Sequence, residues 1–172
     1  ILSHATRHYF RIYLKVTKGS RRVDEVLAKH GYVMDCSCGR RVITRGMRDP
    51  TCKCGKEFRV AGPLWLGDLG DAKFIRRIID FLKGSQFRLK HVEIRMLELC
   101  AEEAHAPPTF YDSHKLARRM KTSPPKMERI LKELAERGHF VSRTHFSPVG
   151  FKTDASFEEL SSILSGLSLI HI

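Results

Sequence analysis

Four of the chain's five cysteines stand in two copies of one short motif, Cys36-Ser37-Cys38-Gly39 and Cys52-Lys53-Cys54-Gly55. Two such pairs joined by a short loop make the chain double back until the four sulfurs face one another. Four thiolates suit a tetrahedral d¹⁰ ion that imposes no geometry of its own, which points to zinc. The glycine closing each pair lets the chain turn so that backbone N–H groups face the sulfurs. The spacing is Cys-x-Cys, a tighter bite than the usual Cys-x-x-Cys knuckle. Two disulfides, or four free buried thiols, are the other readings of the same cysteines. Disulfides need an oxidising compartment. No segment looks secretory, so a cytoplasmic protein with reduced, metal-binding cysteines is expected.

The balance of charge narrows the partners. The chain carries 31 Lys and Arg against 19 Asp and Glu, a formal net charge of +12. Residues 1–70 hold 14 basic and 6 acidic side chains, and residues 71–172 hold 17 and 13, so the excess is concentrated around the cysteines. An excess of this size favours a phosphate-rich partner, although a solvated basic surface would give the same count. At 42% hydrophobic over 172 residues, the chain has enough apolar mass for a core. No run is long or apolar enough to suggest a membrane span.

The order of elements is legible from periodicity. Tyr9 to Val16 alternates, with Phe10, Ile12, Leu14 and Val16 on one side, which reads as a strand with one buried face. A turn at Lys18-Gly19 leads into a helix capped by Ser20 with Val23, Val26 and Leu27 on one stripe, ended by Gly31. His30 reads as a helix-end residue near the last carbonyls rather than as a ligand. Tyr32-Val33-Met34 is a second strand entering the first Cys pair. Arg40, Arg41, Arg45 and Arg48 lie between the pairs, where they can meet phosphate or screen the thiolates. Trp65, in the apolar connector that follows, reads as a plug between domains rather than a base-stacking side chain.

Beyond residue 70 the pattern is helical. Asp71 caps a helix with Phe74, Ile75, Ile78, Ile79 and Leu82 inward. A second amphipathic helix carries Leu89, Val92, Met96, Leu99 and Cys100, which makes Cys100 a core residue rather than a fifth ligand. Leu116, Ala117 and Met120 then define a short helix. Ser123-Pro124 starts another, with Met127, Ile130, Leu131 and Leu134 inward. Two short strands flank the Ser147-Pro148-Val149-Gly150 turn. Helix, helix–turn–helix and hairpin give a winged-helix outline. Its outward face would carry Arg118, Arg119, Lys121, Lys126, Arg129, Arg143 and Lys152, and together with Arg40 and Arg41 these are the candidate RNA contacts. Interspersed Glu128, Glu133 and Glu136 suit ordinary helix-surface pairing.

The opening LSHATRHYFRIYLK, the paired cysteines, AGPLWLG, PPTFYDSHKLARRMK and SRTHFSPVGFKTDA together resemble the tRNA (guanine26-N2)-dimethyltransferase family, in its archaeal form, from about Leu2 to Leu160. The Cys-x-Cys spacing departs from the Cys-x-x-Cys of many members. The resemblance implies an S-adenosylmethionine-dependent methyltransferase of tRNA, built on a doubly wound α/β sheet. The chain has no Gly-x-Gly, and its single Asp-Pro, Asp49-Pro50, lies in the Cys loop. With no initiator Met, it is therefore expected to be a C-terminal portion, inactive alone, that supplies tRNA binding and structural zinc rather than the catalytic centre.

On this reading residues 1–35 are the last strands of the methyltransferase sheet and 36–70 a Cys₄ zinc knuckle and connector. Residues 71–166 form a winged-helix-like α+β domain, and 167–172 are an adapter-derived tail. The competing expectation is a stand-alone zinc-ribbon and winged-helix regulator that binds DNA.

Overall fold

The computed structural model describes residues 2–6, 8–46 and 49–169. Arg48 and the end of the expected adapter tail, residues 170–172, lie outside the described residues.

Strand β1, Leu2–Ala5, pairs antiparallel with β2, Phe10–Tyr13, in the register Leu2↔Tyr13 to Ala5↔Phe10. Helix α1, Ser20–Leu27, follows and buries no residue. Strand β3, His30–Asp35, is the centre of a second antiparallel sheet of order β4-β3-β5, with β4 at Arg41–Thr44 and β5 at Arg59–Trp65. The connector expected after Val60 is thus part of a strand. It continues through Gly62, at φ +151° and packed so close to the Tyr32 ring that a Cβ would collide, and through a cis Gly62-Pro63 peptide. His30 does close the first helix, since its Nδ1–H donates to Val26 O at 3.0 Å.

Helices α2, Ala72–Gly84, and α3, Lys90–Glu102, pack against each other. Asp71 caps α2 as expected, accepting from the Phe74 N–H at 3.0 Å. Their shared core is Ile75, Ile79, Leu97 and Cys100, joined by Leu2 from β1. The inward face of α3 is rotated from the one that periodicity suggests. Leu97 and Cys100 are buried while Leu89 and Val92 are exposed, because Ile75 and Ile79 of α2 select the face they meet.

The rest of the chain wraps a third antiparallel sheet of order β6-β8-β7, from Tyr111–Asp112, Gly150–Thr153 and Val141–Arg143. Helices α4, Ser113–Arg119, α5, Met127–Glu136, and α6, Phe157–Leu169, cover it. Leu116, Ile130, Leu134, Phe151, Leu160, Ile163, Leu164 and Leu167 fill the space between them.

The expected fold class is corrected on several counts. The opening strands are an antiparallel ribbon, not parallel strands ending a doubly wound sheet, and every strand pair among the described residues is antiparallel. The face of β2 expected to be buried is open, with Phe10 85% and Ile12 64% exposed, since no element of the chain packs on it. The C-terminal part does not end at a wing. Helix α6 closes the core over both preceding helices, and residues 71–166 are not a unit apart from the opening strands, because Leu2 is buried between α2 and α3.

Candidate metal centre and its basic surround

The two Cys motifs fold into matching turns. In the first, the Cys36 N–H donates to Arg40 O and the Gly39 N–H donates to Cys36 O, both at 2.9 Å. In the second, the Cys52 N–H donates to Lys56 O and the Gly55 N–H to Cys52 O, both at 2.8 Å. Gly39 and Gly55 sit at φ +106° and +80°, which side chains with a Cβ adopt only under strain. Strand β3 delivers the first turn, and an isolated bridge between Thr51 and Glu57 holds the second.

All four sulfurs lie within 4.8 Å of one another, and all four cysteines are free thiols. Cys36 Sγ stands 3.6 Å from Cys54 Sγ, and Cys38 Sγ 3.8 Å from Cys52 Sγ. A tetrahedron with metal–sulfur bonds of about 2.3 Å places its sulfurs about 3.8 Å apart, so the donor set fits a zinc ion without rearrangement. The Cys-x-Cys spacing is accommodated because each turn supplies two sulfurs from one tight loop. The Cys38 N–H, aimed at the Cys36 sulfur, outweighs burial and holds the Cys36 thiol down at about 7. That favours the thiolate a metal needs. Cys100 behaves differently: burial pushes its thiol up to about 12, in keeping with a core residue.

The arginines around this centre have two kinds of work. Arg41 reaches Asp35 at 3.6 Å, donates to Phe110 O at 3.1 Å and lies 4.8 Å over the Tyr111 ring. Arg119 donates to Ser37 O at 2.6 Å, inside the first Cys turn, and stacks on Phe157. A Cβ on Gly39 would strike both Phe157 and Arg119. These two arginines therefore strap the Cys turns to α4 and α6. Arg40 faces Glu158 at 3.8 Å, and Arg143 is taken by Glu128 at 2.5 Å. Arg129 is half-buried on α5. Arg118, Lys121 and Lys126 are exposed and make no ion pair among the described residues. Between the Cys turns and α4 lies a cleft of about 380 Å³ lined by Arg41, Arg59, Lys115 and Arg119 beside Tyr111 and Phe157.

Lys152 is not on this surface. It is 4% exposed and sits 3.1 Å from Glu103, itself 3% exposed. Glu103 also accepts from the Nδ1–H and the backbone N–H of His145. The His145 tautomer is set by Ala5, whose N–H donates to Nε2 at 2.8 Å. This buried network joins β1, α3 and β8. The strings SRTHF and GFKTDA contain two of its members, but nothing in their spacing announces a buried ion pair. Burial raises the Glu103 carboxyl, and His145 and Lys152 more than offset that, holding it below the usual range. Trp65 seals its own sheet, with its Nε1–H on Asp68 O and its ring beside His30 and Lys29.

Comparison with known proteins identifies the chain's relatives. The family model for N2,N2-dimethylguanosine tRNA methyltransferases matches residues 1–165. The tRNA (guanine(26)-N(2))-dimethyltransferase of Methanosphaera stadtmanae is 37% identical over 95% of this chain and 43% of its own length. That of Methanobrevibacter smithii is 38% identical over 97% and 44%. A solved structure described as the complex of Trm1 from Pyrococcus horikoshii with S-adenosyl-L-methionine superposes with a TM-score of 0.81. It is 33% identical and covers 95% of this chain and 43% of that one. The chain thus spans less than half the length of the relatives it matches.

These matches overturn two expectations. The methyltransferase model runs through the chain as one block, which removes the division into a sheet remnant and a separate winged-helix domain, and with it the assignment to a non-catalytic C-terminal piece. The DNA-binding regulator finds no counterpart in a match of this extent. No helix among the described residues is long and apolar enough to cross a membrane. This chain belongs to the N2,N2-dimethylguanosine tRNA methyltransferase family.

Proposed function

We propose that this chain serves the dimethylation of N2 of guanine 26 in tRNA, with S-adenosylmethionine as methyl donor. The observation that carries the reading is the likeness, over 95% of the chain, to a Trm1 described in complex with that cofactor. S-adenosylmethionine supplies the methyl groups. The acceptor is an exocyclic amine of low nucleophilicity, whose proton must pass to a base as the methyl arrives. The guanine must leave its stack to be reached.

Within that reaction this chain's residues hold the RNA. Arg118, Lys121 and Lys126, exposed and unpaired, take phosphates by charge, and the cleft beside Arg41 and Arg119 continues the basic surface. Arg40, Arg129 and Arg143 can add contacts at the cost of their present partners. A-form stems are held by backbone and shape, so this surface positions the tRNA rather than reading its sequence. Cys36, Cys38, Cys52 and Cys54 hold a structural zinc, because four thiolates leave no open position for water. Its work is to fix the two turns that Arg119 grips.

The test incubates the protein carrying this chain with labelled S-adenosylmethionine and two tRNA transcripts, one with guanine 26 and one with adenine there. Label is expected as dimethylguanosine in the first and none in the second. Equal labelling of both, or of neither, overturns the reading.

A further inference from the structure

A second hollow lies away from the cysteines, between β1, the C-terminal end of α3 and the turn after β7. Its volume is about 520 Å³, within the range of about 300–1,000 Å³ common for small-molecule sites. Phe10, Phe110 and Phe146 stand around it and are 85%, 39% and 40% exposed. Phe110 and Phe146 meet edge to face at 4.9 Å. Single exposed phenyl rings are ordinary, but three around one hollow form a surface suited to a flat partner.

The lining of the hollow is polar in two places and buried there. His4 is 5% exposed, and its Nδ1 has no hydrogen-bond partner. Glu103 Oε2 lies 3.1 Å from the Lys152 ammonium but accepts no aligned hydrogen bond. Burial, then Arg11 and His145, lower the His4 pKa, so the ring is neutral and offers one donor and one acceptor. A metal is a poor occupant, although Cys100, Glu103 and His145 offer ligand atoms within 4.8 Å of one another. Both His145 nitrogens are engaged, by Ala5 and by Glu103, and the Lys152 charge already neutralises the carboxylate.

We propose that this hollow holds one unstacked base of the tRNA. A base brings what the site lacks: a flat ring for the phenyl walls and an edge of mixed donors and acceptors for His4 and Glu103. Stacking on aromatic side chains is how single-stranded nucleotides are held without sequence readout, and a chain of net charge +12 draws the polyanion to it. The inference rests on the tRNA reading but uses none of the phosphate contacts assigned above.

Two variants test it, Phe10→Ser and Phe146→Leu, in tRNA titrations at several salt concentrations, alongside free guanosine monophosphate followed by NMR. Phe10 is so exposed that its loss leaves the fold intact, and an unchanged unfolding transition checks this for both variants. Each variant is expected to bind tRNA about tenfold more weakly with the salt slope unchanged, because a stacked base is lost and no phosphate contact is. Guanosine monophosphate is expected to shift the Phe110, Phe146 and His4 resonances of the wild type. Unchanged tRNA affinity in both variants overturns the proposal even if the protein methylates tRNA, and so does a loss that comes with a shallower slope. If the wild type binds no tRNA but the free nucleotide shifts those rings, the tRNA reading fails and the hollow is a nucleotide site. If neither binds, both fall.

Discussion

The sheets β4-β3-β5 and β6-β8-β7 have the same number of strands and the same antiparallel pairing, yet they are held by different physics. In the second, the centre strand β8 is buried at all four residues and Ile130, Leu134, Leu160 and Leu164 pack over it at 0% exposure. In the first, the centre strand β3 is buried only at Gly31 and Met34, and β5 is exposed along its whole length. Apolar burial at about 25 cal/mol per Å² accounts for the one and leaves the other without a comparable source of stability. What the first sheet has instead is at its ends: two Cys turns with sulfurs at metal spacing, and arginines reaching in from α4 and β4. The comparison predicts that the two sheets fail separately and for different reasons.

The largest effect is expected at the cysteines. Structural zinc in small modules is worth about 10–16 kcal/mol of apparent folding free energy, most of it unavailable once one ligand is lost. Cys52→Ser should release the metal and bring fast amide exchange across residues 32–60, while the amides of β8 and α5 keep their protection. Metal analysis and hydrogen exchange on the same sample check both halves. Retained zinc in the variant, or a wild-type protein with no zinc under reducing conditions and an intact β3, would show that the first sheet does not depend on a metal.

Much of this contrast was legible before the fold was known, and the reasons differ by region. The Cys turns are encoded locally, by Cys-x-Cys-Gly, and their geometry follows the expectation. Helices α2, α4 and α5 are also local, marked by Asp71 and by the apolar spacing of Leu116 and of Ile130 with Leu134. Helix α6 was equally legible, since Leu160, Ile163, Leu164 and Leu167 repeat at helical spacing. It was missed because the tail was set aside, and Leu167 proves to be a core residue. The buried Glu103–His145–Lys152 network was not legible at all. Its members are 42 residues or more apart in sequence, and Lys152 reads as a surface cation until the fold shows it 4% exposed. Arg119 belongs to the same class: its partner Ser37 lies 82 residues away.

The buried network gives the second effect. Removing one partner of a buried, hydrogen-bonded pair costs about 3–5 kcal/mol, because the other charge stays desolvated. Glu103→Gln is therefore expected to lower stability by that order, read as a fall in the denaturation midpoint. The native Glu103 pKa lies below its unfolded value. Its contribution is thus complete above the unfolded carboxylate range and is lost as pH falls through the lower, folded pKa. The variant should flatten that acid limb, and a limb of unchanged steepness would assign the acid sensitivity elsewhere. Ile130→Ala comes next, at about 2–5 kcal/mol for a cavity in a core with no exposure at that site. It should leave zinc content untouched, which Cys52→Ser cannot do, and zinc loss in Ile130→Ala would mean the two sheets are one cooperative unit.

The smallest effect is the most informative about how the sheets are joined. Arg119 donates to the Ser37 carbonyl inside the first Cys turn and stacks on Phe157, the first residue of α6. It is exposed, so solvent screens its charge, and a single hydrogen bond with one stacking contact is worth about 1 kcal/mol there. Arg119→Ala should barely move global stability. Its consequence is local: with the strap gone, the Cys turn keeps its zinc but is free to shift against α4, and exchange should quicken at Ser37 to Arg41 alone. Arg119→Lys sharpens the point, since it keeps the charge but loses the planar guanidinium that stacks while donating. If Lys restores slow exchange, charge alone holds the turn. If Lys behaves like Ala, the strap depends on the flat, forked geometry of arginine, and the position of the Cys turns is set from across the molecule by one side chain.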